Sequence, residues 1–235
     1  MENIIETLRE ELIRQSDERT REISQHFFKE KISFYGVNNK TVHKISKEFF
    51  SFLKTKPKEE IFGLCDQLWQ SGYIEESFVA CDWSYFLHKK YEPADFKVFE
   101  NWINEYVNNW ASCDTLCNHT VGEFIMMYPE YIGRLKDFTS SGNRWTRRAA
   151  AVSLIIPARK GLFPDDILEI AGILLMDKDD MVQKGYGWML KVASMAHREE
   201  IYGFVMKHKQ IMPRTALRYA IEKMPAEMKA MAMAK

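Results

Sequence analysis

Most of the chain consists of segments whose apolar side chains recur at helical spacing, and each segment ends at a proline, a glycine or a polar cluster. The segment 58–70, for example, carries Ile61, Leu64 and Leu68. Apolar residues three or four positions apart lie on one face of a helix, which buries that face. No segment shows the alternation or the hairpin signal of β-strands. The sequence therefore predicts an all-α fold, with helical segments at 2–30, 41–54, 58–70, 74–91, 94–110, 115–128, 130–138, 145–156, 164–176, 181–194, 198–209 and 213–223 and a short tail.

Helices of this length, joined by short loops, predict successive antiparallel pairs. Such pairs would recur about every forty residues, the period of HEAT and armadillo repeats. We therefore expect one HEAT-like α-solenoid domain over residues 1–235, curved around a concave groove. A groove of that kind suits a rod such as duplex DNA or an extended protein. The residues themselves do not repeat clearly, so a compact irregular bundle is the structural alternative.

The charge is balanced over the whole chain but uneven along it. Lysine plus arginine and aspartate plus glutamate number 33 each, so composition alone selects no partner. Residues 143–160, however, contain no acid and five basic residues, which are Arg144, Arg147, Arg148, Arg159 and Lys160. A basic C-terminal half is typical of a protein that binds a polyanion. Basic residues spread over solvated faces are the alternative.

The cysteines and the apolar runs indicate the compartment. Cys65, Cys81, Cys113 and Cys117 form no CxxC pair, as expected for reduced thiols in a cytoplasmic protein. Cys113, Cys117 and His119 fit no standard zinc spacing, so we expect no metal and no cofactor. No apolar run approaches the roughly 20 residues of a membrane span, and the amino terminus lacks the basic start of a signal peptide. We expect a soluble, cytoplasmic monomer without membrane contact.

The segment 108–114 places an indole, Trp110, four residues before a carboxylate, Asp114. Either residue also has an ordinary structural role. Tryptophans are commonly buried in a core, and an aspartate that precedes a helical segment commonly caps its first turn.

Two later segments carry further candidates. In the segment 144–148, Arg144 and Arg148 would share one helical face, with Arg147 beyond them. Such guanidinium groups bind either phosphates or acids from another helix. In the segment 184–188, two glycines interrupt a helix at a cost of about 1 kcal/mol each relative to alanine. They would admit either another helix or a ligand beside Trp188.

Taken together, these motifs resemble a known enzyme family. Trp110-x-x-x-Asp114, Trp145-x-x-Arg148-x-Ala150 and Lys184-Gly185-x-Gly187-Trp188 are similar to the AlkD family of DNA alkylation repair enzymes. Members of that family are HEAT-like-repeat glycosylases that excise cationic N3- and N7-alkylated purines from duplex DNA. The turn Phe34-Tyr35-Gly36-Val37 resembles the family's aromatic-glycine turn, so the likeness runs from there through Trp188.

The resemblance implies a role for each site residue. Asp114 would be the catalytic carboxylate, Trp110 and Trp188 the aromatic walls beside the lesion, and Arg148 a phosphate-holding residue. Apart from the resemblance, the basic side chains of Arg144, Arg147 and Lys184 are further candidates for contacts to DNA. The resemblance also implies that the damaged nucleotide stays stacked in the duplex. No lysine nucleophile presents itself, so we expect a monofunctional glycosylase, with Lys184 the nearest candidate for a lyase.

The chain departs from the family at one position. After the glycine turn the family typically has threonine-proline and then an arginine, whereas this chain has Asn39-Lys40 and then His43. Lys40, Lys44 and Lys47 are the candidates to replace the DNA contact there. The competing functional hypothesis is a non-catalytic helical-repeat module that binds DNA or a protein, because one fold can host both kinds of function.

Overall fold

The computed structural model describes residues 3–234, and its regular structure over this range is helical apart from an isolated bridge between Ser33 and Tyr73. The all-α prediction is confirmed. Residues 2 and 235, at the ends of the predicted first segment and tail, lie outside the described range. The α-helices within residues 3–234 are α1 (Ile4–Arg14), α2 (Glu18–Gln25), α3 (Asn39–Phe50), α4 (Lys58–Gln70), α5 (Ile74–Phe86), α6 (Phe96–Glu105), α7 (Trp110–Thr115), α8 (Gly122–Met127), α9 (Ile132–Phe138), α10 (Arg144–Val152), α11 (Ile155–Arg159), α12 (Pro164–Ile173), α13 (Asp180–Ala193), α14 (Arg198–His208), α15 (Arg214–Ala220) and α16 (Ala226–Met233).

The first predicted segment and the tail differ in detail from the expectation. Residues 2–30 were predicted as one helical segment, but α1 ends at Arg14 and α2 begins at Glu18. Asp17 separates them, because its backbone is extended and its side chain accepts a hydrogen bond from the Thr20 backbone N–H at 2.7 Å. This is the geometry of an N-cap. At the other end of the chain the tail forms α16.

The described residues divide into two compact units, one ending at Leu116 and the other beginning at Cys117. In the first unit α4 and α5 pack together across a short turn at Gly72, whose φ of +74° suits glycine. Helix α3 packs on α5, and α1 packs on α3. Trp83 and Trp102 are fully buried. The indole N–H of Trp83 donates to the Ser46 carbonyl at 3.0 Å, so the core leaves that polar group satisfied.

A buried carboxylate of α5 holds the aromatic-glycine turn. Glu75 accepts hydrogen bonds from the backbone N–H groups of Tyr35, Gly36 and Val37 at 3.1, 2.8 and 3.1 Å. Gly36 has a φ of +92°, and a Cβ there would lie 2.4 Å from the Asp17 carbonyl oxygen. The turn therefore requires glycine for both its backbone angle and its close packing.

The neighbouring carboxylate, Glu76, is also fully buried. It accepts hydrogen bonds from Nε and Nη2 of Arg9 and one, at 2.7 Å, from the Tyr35 hydroxyl. Burial, followed by this bond to Glu76, raises the pKa of the Tyr35 hydroxyl. Glu76 thus links α1, α5 and the turn in the first unit, and its charge is paired as a buried charge must be.

In the second unit, α13 is the central helix. It packs against α10, α11, α12 and α15. Tyr186 is fully buried within this helix, and its hydroxyl donates to the Leu175 carbonyl at 3.0 Å. None of the helices in residues 3–234 combines the length and hydropathy that crossing a membrane requires.

Candidate functional site

Helix α7 begins at Trp110, not near Asp114 as the alternative interpretation had it. The preceding helix, α6, ends at Glu105, so the predicted segment 94–110 extended too far. Asn109 is the N-cap of α7, with an extended backbone and a side-chain oxygen that accepts from the Ser112 N–H at 2.9 Å. Asp114 lies inside the helix and is not its cap. The alternative interpretation of Asp114 as an N-cap is therefore wrong.

This placement brings Trp110 and Asp114 onto one face of α7. Residues four positions apart in an α-helix lie one above the other on the same side. Both residues are partly exposed. A π-helix, Leu116–Val121, follows α7 directly. π-Helical turns are rare and occur frequently at functional sites.

Buried polar side chains fix the amino end of α7 on α5. Asn109 and Ser112 are each 2% exposed, and the Asn109 amide donates to the Ser112 hydroxyl at 2.7 Å. The Ser77 hydroxyl of α5 donates in turn to the Ser112 hydroxyl at 3.3 Å. A satisfied buried network of this kind gives a helix one preferred position. The relative placement of the Trp110 and Asp114 side chains therefore has a rigid base.

The indole of Trp110 is held by the turn after α2. Its ring stacks on Phe28 with centroids 5.3 Å apart and planes 17° apart, and its N–H donates to the Phe27 carbonyl at 3.2 Å. A cavity of about 190 Å³ adjoins the stack within the first unit. Its lining comprises Ser24, Phe27, Phe28, Phe34, Val37, Asn39, Ile74, Glu75, Phe78, Trp110 and Ala111.

Sequence reasoning missed the part played by Phe27 and Phe28. Both fall within the predicted helical segment 2–30, whereas α2 ends at Gln25 and Phe27 is 69% exposed. The signal that pointed elsewhere is the cluster of aromatic residues at 27, 28, 34 and 35 around a glycine turn.

Arg148 in the second unit is 4% exposed, and its Nη1 donates to the Met181 carbonyl. Its side chain passes Gly185, where a Cβ would lie 3.2 Å from the Arg148 Cγ and 3.6 Å from Val152. Gly185 is thus explained by the room that Arg148 needs against α13. The phosphate contact of Arg148 stays a prediction.

Arg144 and Arg147 have acidic partners in the loop before α13. The Arg147 Nε donates to the Asp177 carboxylate at 2.6 Å, and its Nη2 donates to the same group at 3.3 Å. Arg144 pairs with Asp179 at 3.3 Å, and its guanidinium lies 4.4 Å over the Trp145 ring. For the guanidinium groups of Arg144 and Arg147, the sequence left open binding to phosphates or to acids, and the structure shows both paired with acids. Both acids, Asp177 and Asp179, lie just before the first residue of α13.

Lys184 and Trp188 lie on α13. The Lys184 ammonium pairs with Asp180 at 3.1 Å, and Trp188 is partly exposed. A Cβ on Gly187 would lie 2.8 Å from the Tyr219 Cβ, so this glycine admits α15. Both glycines of the motif therefore serve packing, and neither leaves space for a ligand at the backbone.

Helix α3 carries a basic stripe, which we define as Lys40, His43, Lys44 and Lys47. Their spacing places all four on one helical face, and all four are exposed. The Lys44 ammonium lies 3.8 Å from Glu48 across the helix surface. His43 Nδ1 lies 2.8 Å from the Asp82 carboxylate, and this hydrogen bond raises the pKa of His43. The stripe follows the aromatic-glycine turn in the sequence and presents positive charge to solvent.

No group of three or more His, Cys, Asp or Glu side chains in residues 3–234 is arranged to hold a metal ion. Cys113 and Cys117 are fully buried thiols on either side of the partly exposed Asp114. Burial in an apolar setting keeps such thiols inert.

Comparison with known proteins identifies the family. The family model described as DNA alkylation repair enzyme matches residues 8–224. A solved structure described as a predicted DNA alkylation repair enzyme from Enterococcus faecalis superposes with a TM-score of 0.81 at 17% identity, covering 90% of this chain and 98% of that chain. At that identity the superposition supports the fold. No curated protein matches the sequence. Because the family model covers almost the whole chain, the protein belongs to the DNA alkylation repair enzyme family.

Proposed function

We propose that the protein is a monofunctional DNA glycosylase that hydrolyses the N-glycosidic bond of N3- and N7-alkylated purines, such as 3-methyladenine and 7-methylguanine, in duplex DNA. The observation that carries this proposal is the position of Trp110 and Asp114 one turn apart on a single helix, both partly exposed. The carboxylate and the indole face can both attract a cation, and the substrate class is cationic.

The chemistry of the substrate explains why one carboxylate suffices. Alkylation at N3 or N7 leaves a positive charge on the purine, which makes the base a good leaving group without protonation. Positive charge then develops on the deoxyribose as the glycosidic bond lengthens. A carboxylate at Asp114 stabilises that charge and can orient the attacking water. No general acid is needed for the leaving base.

Trp110 supplies a second form of stabilisation. An indole face attracts a cation by up to about 2 kcal/mol where water is excluded. Because its N–H is occupied by the Phe27 carbonyl, Trp110 meets the nucleotide through its π surface and not as a hydrogen-bond donor. Stacking and cation–π attraction do not require the base to leave the DNA duplex. Both are therefore compatible with a damaged base that stays stacked in the DNA.

The contacts to the DNA backbone are proposed for exposed cations. Lys40 and Lys44 of the basic stripe lie on the solvent side of α3, where they can approach phosphates. The exposed pair of Lys44 with Glu48, at 3.8 Å, is a weaker contact than a pair with a phosphate would be. The roles of Arg148 and Trp188 in the reaction are proposed from the resemblance alone, as is action on DNA as a monomer.

Substitution of Asp114 by asparagine tests the proposal. Asn keeps the shape of the side chain but removes the charge, so release of the base should fall by at least about a hundredfold. Binding to undamaged duplex should remain within about twofold, because affinity for DNA comes mainly from contacts to phosphates. Release of 7-methylguanine from methylated duplex and anisotropy with labelled duplex measure the two quantities.

A matched control is Asp137→Asn, which removes a carboxylate that is 65% exposed and pairs with Arg134. This variant should release base at the wild-type rate. Equal release by Asp114→Asn and wild type would remove Asp114 from its role. Binding without release by the wild-type protein would favour the non-catalytic module.

A further inference from the structure

We propose that Phe28 is a positioning residue that holds the Trp110 indole in the orientation the reaction needs. This inference rests on the proposed function, because it concerns the same indole. According to this proposal, the turn after α2 directly affects the rate of base release, although it contributes none of the charged groups of the site.

Two contacts from adjacent residues fix the indole from one side. The Phe28 ring covers one face of Trp110 in a near-parallel stack, with 5.3 Å between the centroids. The Phe27 carbonyl accepts the indole N–H at 3.2 Å. A stack alone permits the indole to slide, and a hydrogen bond alone permits it to swing about the N–H direction. The two contacts together restrict both motions.

The turn that carries these contacts is itself fastened. The Gln25 side chain donates to the Glu30 carbonyl at 2.8 Å and accepts from the Ile32 N–H at 3.2 Å, which closes the turn between them. The Phe28 ring also packs on Phe34, with 5.7 Å between the centroids and 57° between the planes. A turn closed by its own side chain has a defined position, so it can transmit that position to Trp110.

This arrangement determines which surface of Trp110 is available. One face is covered by Phe28 and the polar edge is occupied by the Phe27 carbonyl, yet the side chain as a whole is partly exposed. The stack leaves the face opposite Phe28 as the one that a ligand can cover. Attraction of a cation by an indole depends on the cation lying over the face. Phe28 thus selects the face of Trp110 that meets the charged nucleotide.

The test compares Phe28→Leu with Phe28→Tyr. Leucine keeps an apolar side chain against Phe34 but removes the flat ring, whereas tyrosine keeps the ring. The matched control is Phe52→Leu, the same change at a residue that is 59% exposed and packs edge-on against Phe49. Circular dichroism confirms that each variant is folded before the other measurements are made.

The first measurement does not depend on catalysis. Hydrogen exchange of the Trp110 indole N–H is followed by NMR, with the resonance assigned from its absence in Trp110→Phe. Loss of an aromatic pair should speed this exchange by about two- to tenfold in Phe28→Leu. Phe28→Tyr and Phe52→Leu should exchange at the wild-type rate. Unchanged exchange in Phe28→Leu would overturn the inference, whether or not the protein releases bases.

The second measurement is base release under single turnover, with wild type required to be active and Asp114→Asn required to be inactive. Phe28→Leu should lower the rate by about tenfold, because a small displacement of a catalytic group is costly. Affinity for undamaged duplex should stay within about twofold, and Phe28→Tyr should restore the rate. A fall in rate and affinity by the same factor, or no rescue by tyrosine, would contradict the positioning role. If the wild type releases no base, the proposed function fails and indole exchange alone decides the inference.

Discussion

The residue at which α7 begins determines the relative position of the Trp110 and Asp114 side chains. Asn109 is the N-cap of α7, so the first helical residue is Trp110. This boundary places the Trp110 indole and the Asp114 carboxylate one turn apart on one face of the helix. A boundary five residues later would have made Asp114 the N-cap, with its oxygens committed to backbone N–H groups. The buried N-cap residue Asn109 therefore determines that the Asp114 carboxylate is not used as a cap.

His43 gives a prediction for pH at the residue scale. Its folded pKa is raised above the ordinary value of about 6.5 by the hydrogen bond to Asp82. The pair therefore contributes stability that is fully present below the unfolded pKa and is lost as pH rises through the folded pKa. The difference in urea midpoint between wild type and His43→Gln should be largest near pH 6 and should shrink toward pH 8.

The control for this prediction is His26→Gln, the same change at another exposed histidine of the first unit. It should show no comparable trend. A wild-type advantage over His43→Gln that stayed constant from pH 6 to pH 8 would show that His43 acts through packing and not through its charge.

The residues of the site were only partly predictable from the sequence. Trp110, Asp114 and Trp188 are partly exposed, and the roles that the resemblance implied for them stay predictions. The partners Asp177 and Asp179 were not foreseen, since they lie 30 and 35 residues from the arginines they bind. Helical periodicity carries information over a few turns, whereas an ion pair at that separation depends on how α10 and the loop before α13 pack.

At the scale of the element, α13 shows how glycines can serve packing within a helix. Both Gly185 and Gly187 were predicted to admit a neighbour, and the sequence left open whether it was a helix or a ligand. The structure places the Arg148 side chain against the first and the backbone of α15 against the second. The sequence alone could not distinguish a neighbouring helix from a ligand, because a glycine indicates that space is needed but not which group occupies it.

Alanine substitutions should distinguish the two glycines. In Gly187→Ala the new Cβ would lie 2.8 Å from the Tyr219 Cβ and 2.9 Å from the Ala216 carbonyl oxygen. Forcing α13 and α15 apart should cost about 1–3 kcal/mol, which exceeds the gain in helix propensity. In Gly185→Ala the nearest atom belongs to the flexible Arg148 side chain, so the loss should be smaller.

Urea unfolding measures these changes, and Gly203→Ala is the control. Gly203 lies in α14 with no atom within 4 Å of an added Cβ, so its replacement should stabilise the protein by about 0.4–1 kcal/mol. If Gly187→Ala proved as stable as Gly203→Ala, the close contact between α13 and α15 would be refuted.

At the scale of the whole molecule, the distribution of charge matters more than its sum. The chain has equal numbers of acidic and basic residues, yet the cations differ in what they already bind. Arg147 is committed to Asp177, while the basic stripe on α3 is exposed. The uneven charge was visible in the sequence. Which cations are engaged internally was not, because that depends on tertiary contacts.

The salt dependence of DNA binding should reveal this difference. Lys40→Ala should lower the slope of log affinity against log salt by about 0.9, the value for one lost phosphate contact. Arg147→Ala should leave the slope unchanged but lower the free energy of unfolding by about 1–3 kcal/mol, because it removes the charged donor of the Asp177 carboxylate, which then keeps the Asp179 backbone N–H. Anisotropy titrations at several salt concentrations and urea unfolding measure the two effects. The reverse pattern would assign the phosphate contact to Arg147.

The central claim is hydrolysis of a glycosidic bond, and identification of the products tests it most directly. Wild-type protein is incubated with duplex that contains a single 7-methylguanine, and both the small molecule and the strand are analysed by mass spectrometry. We predict one equivalent of free 7-methylguanine and an unbroken strand that carries an abasic site. A strand that keeps its methylated base, or one from which only the methyl group has been removed, would contradict the claim.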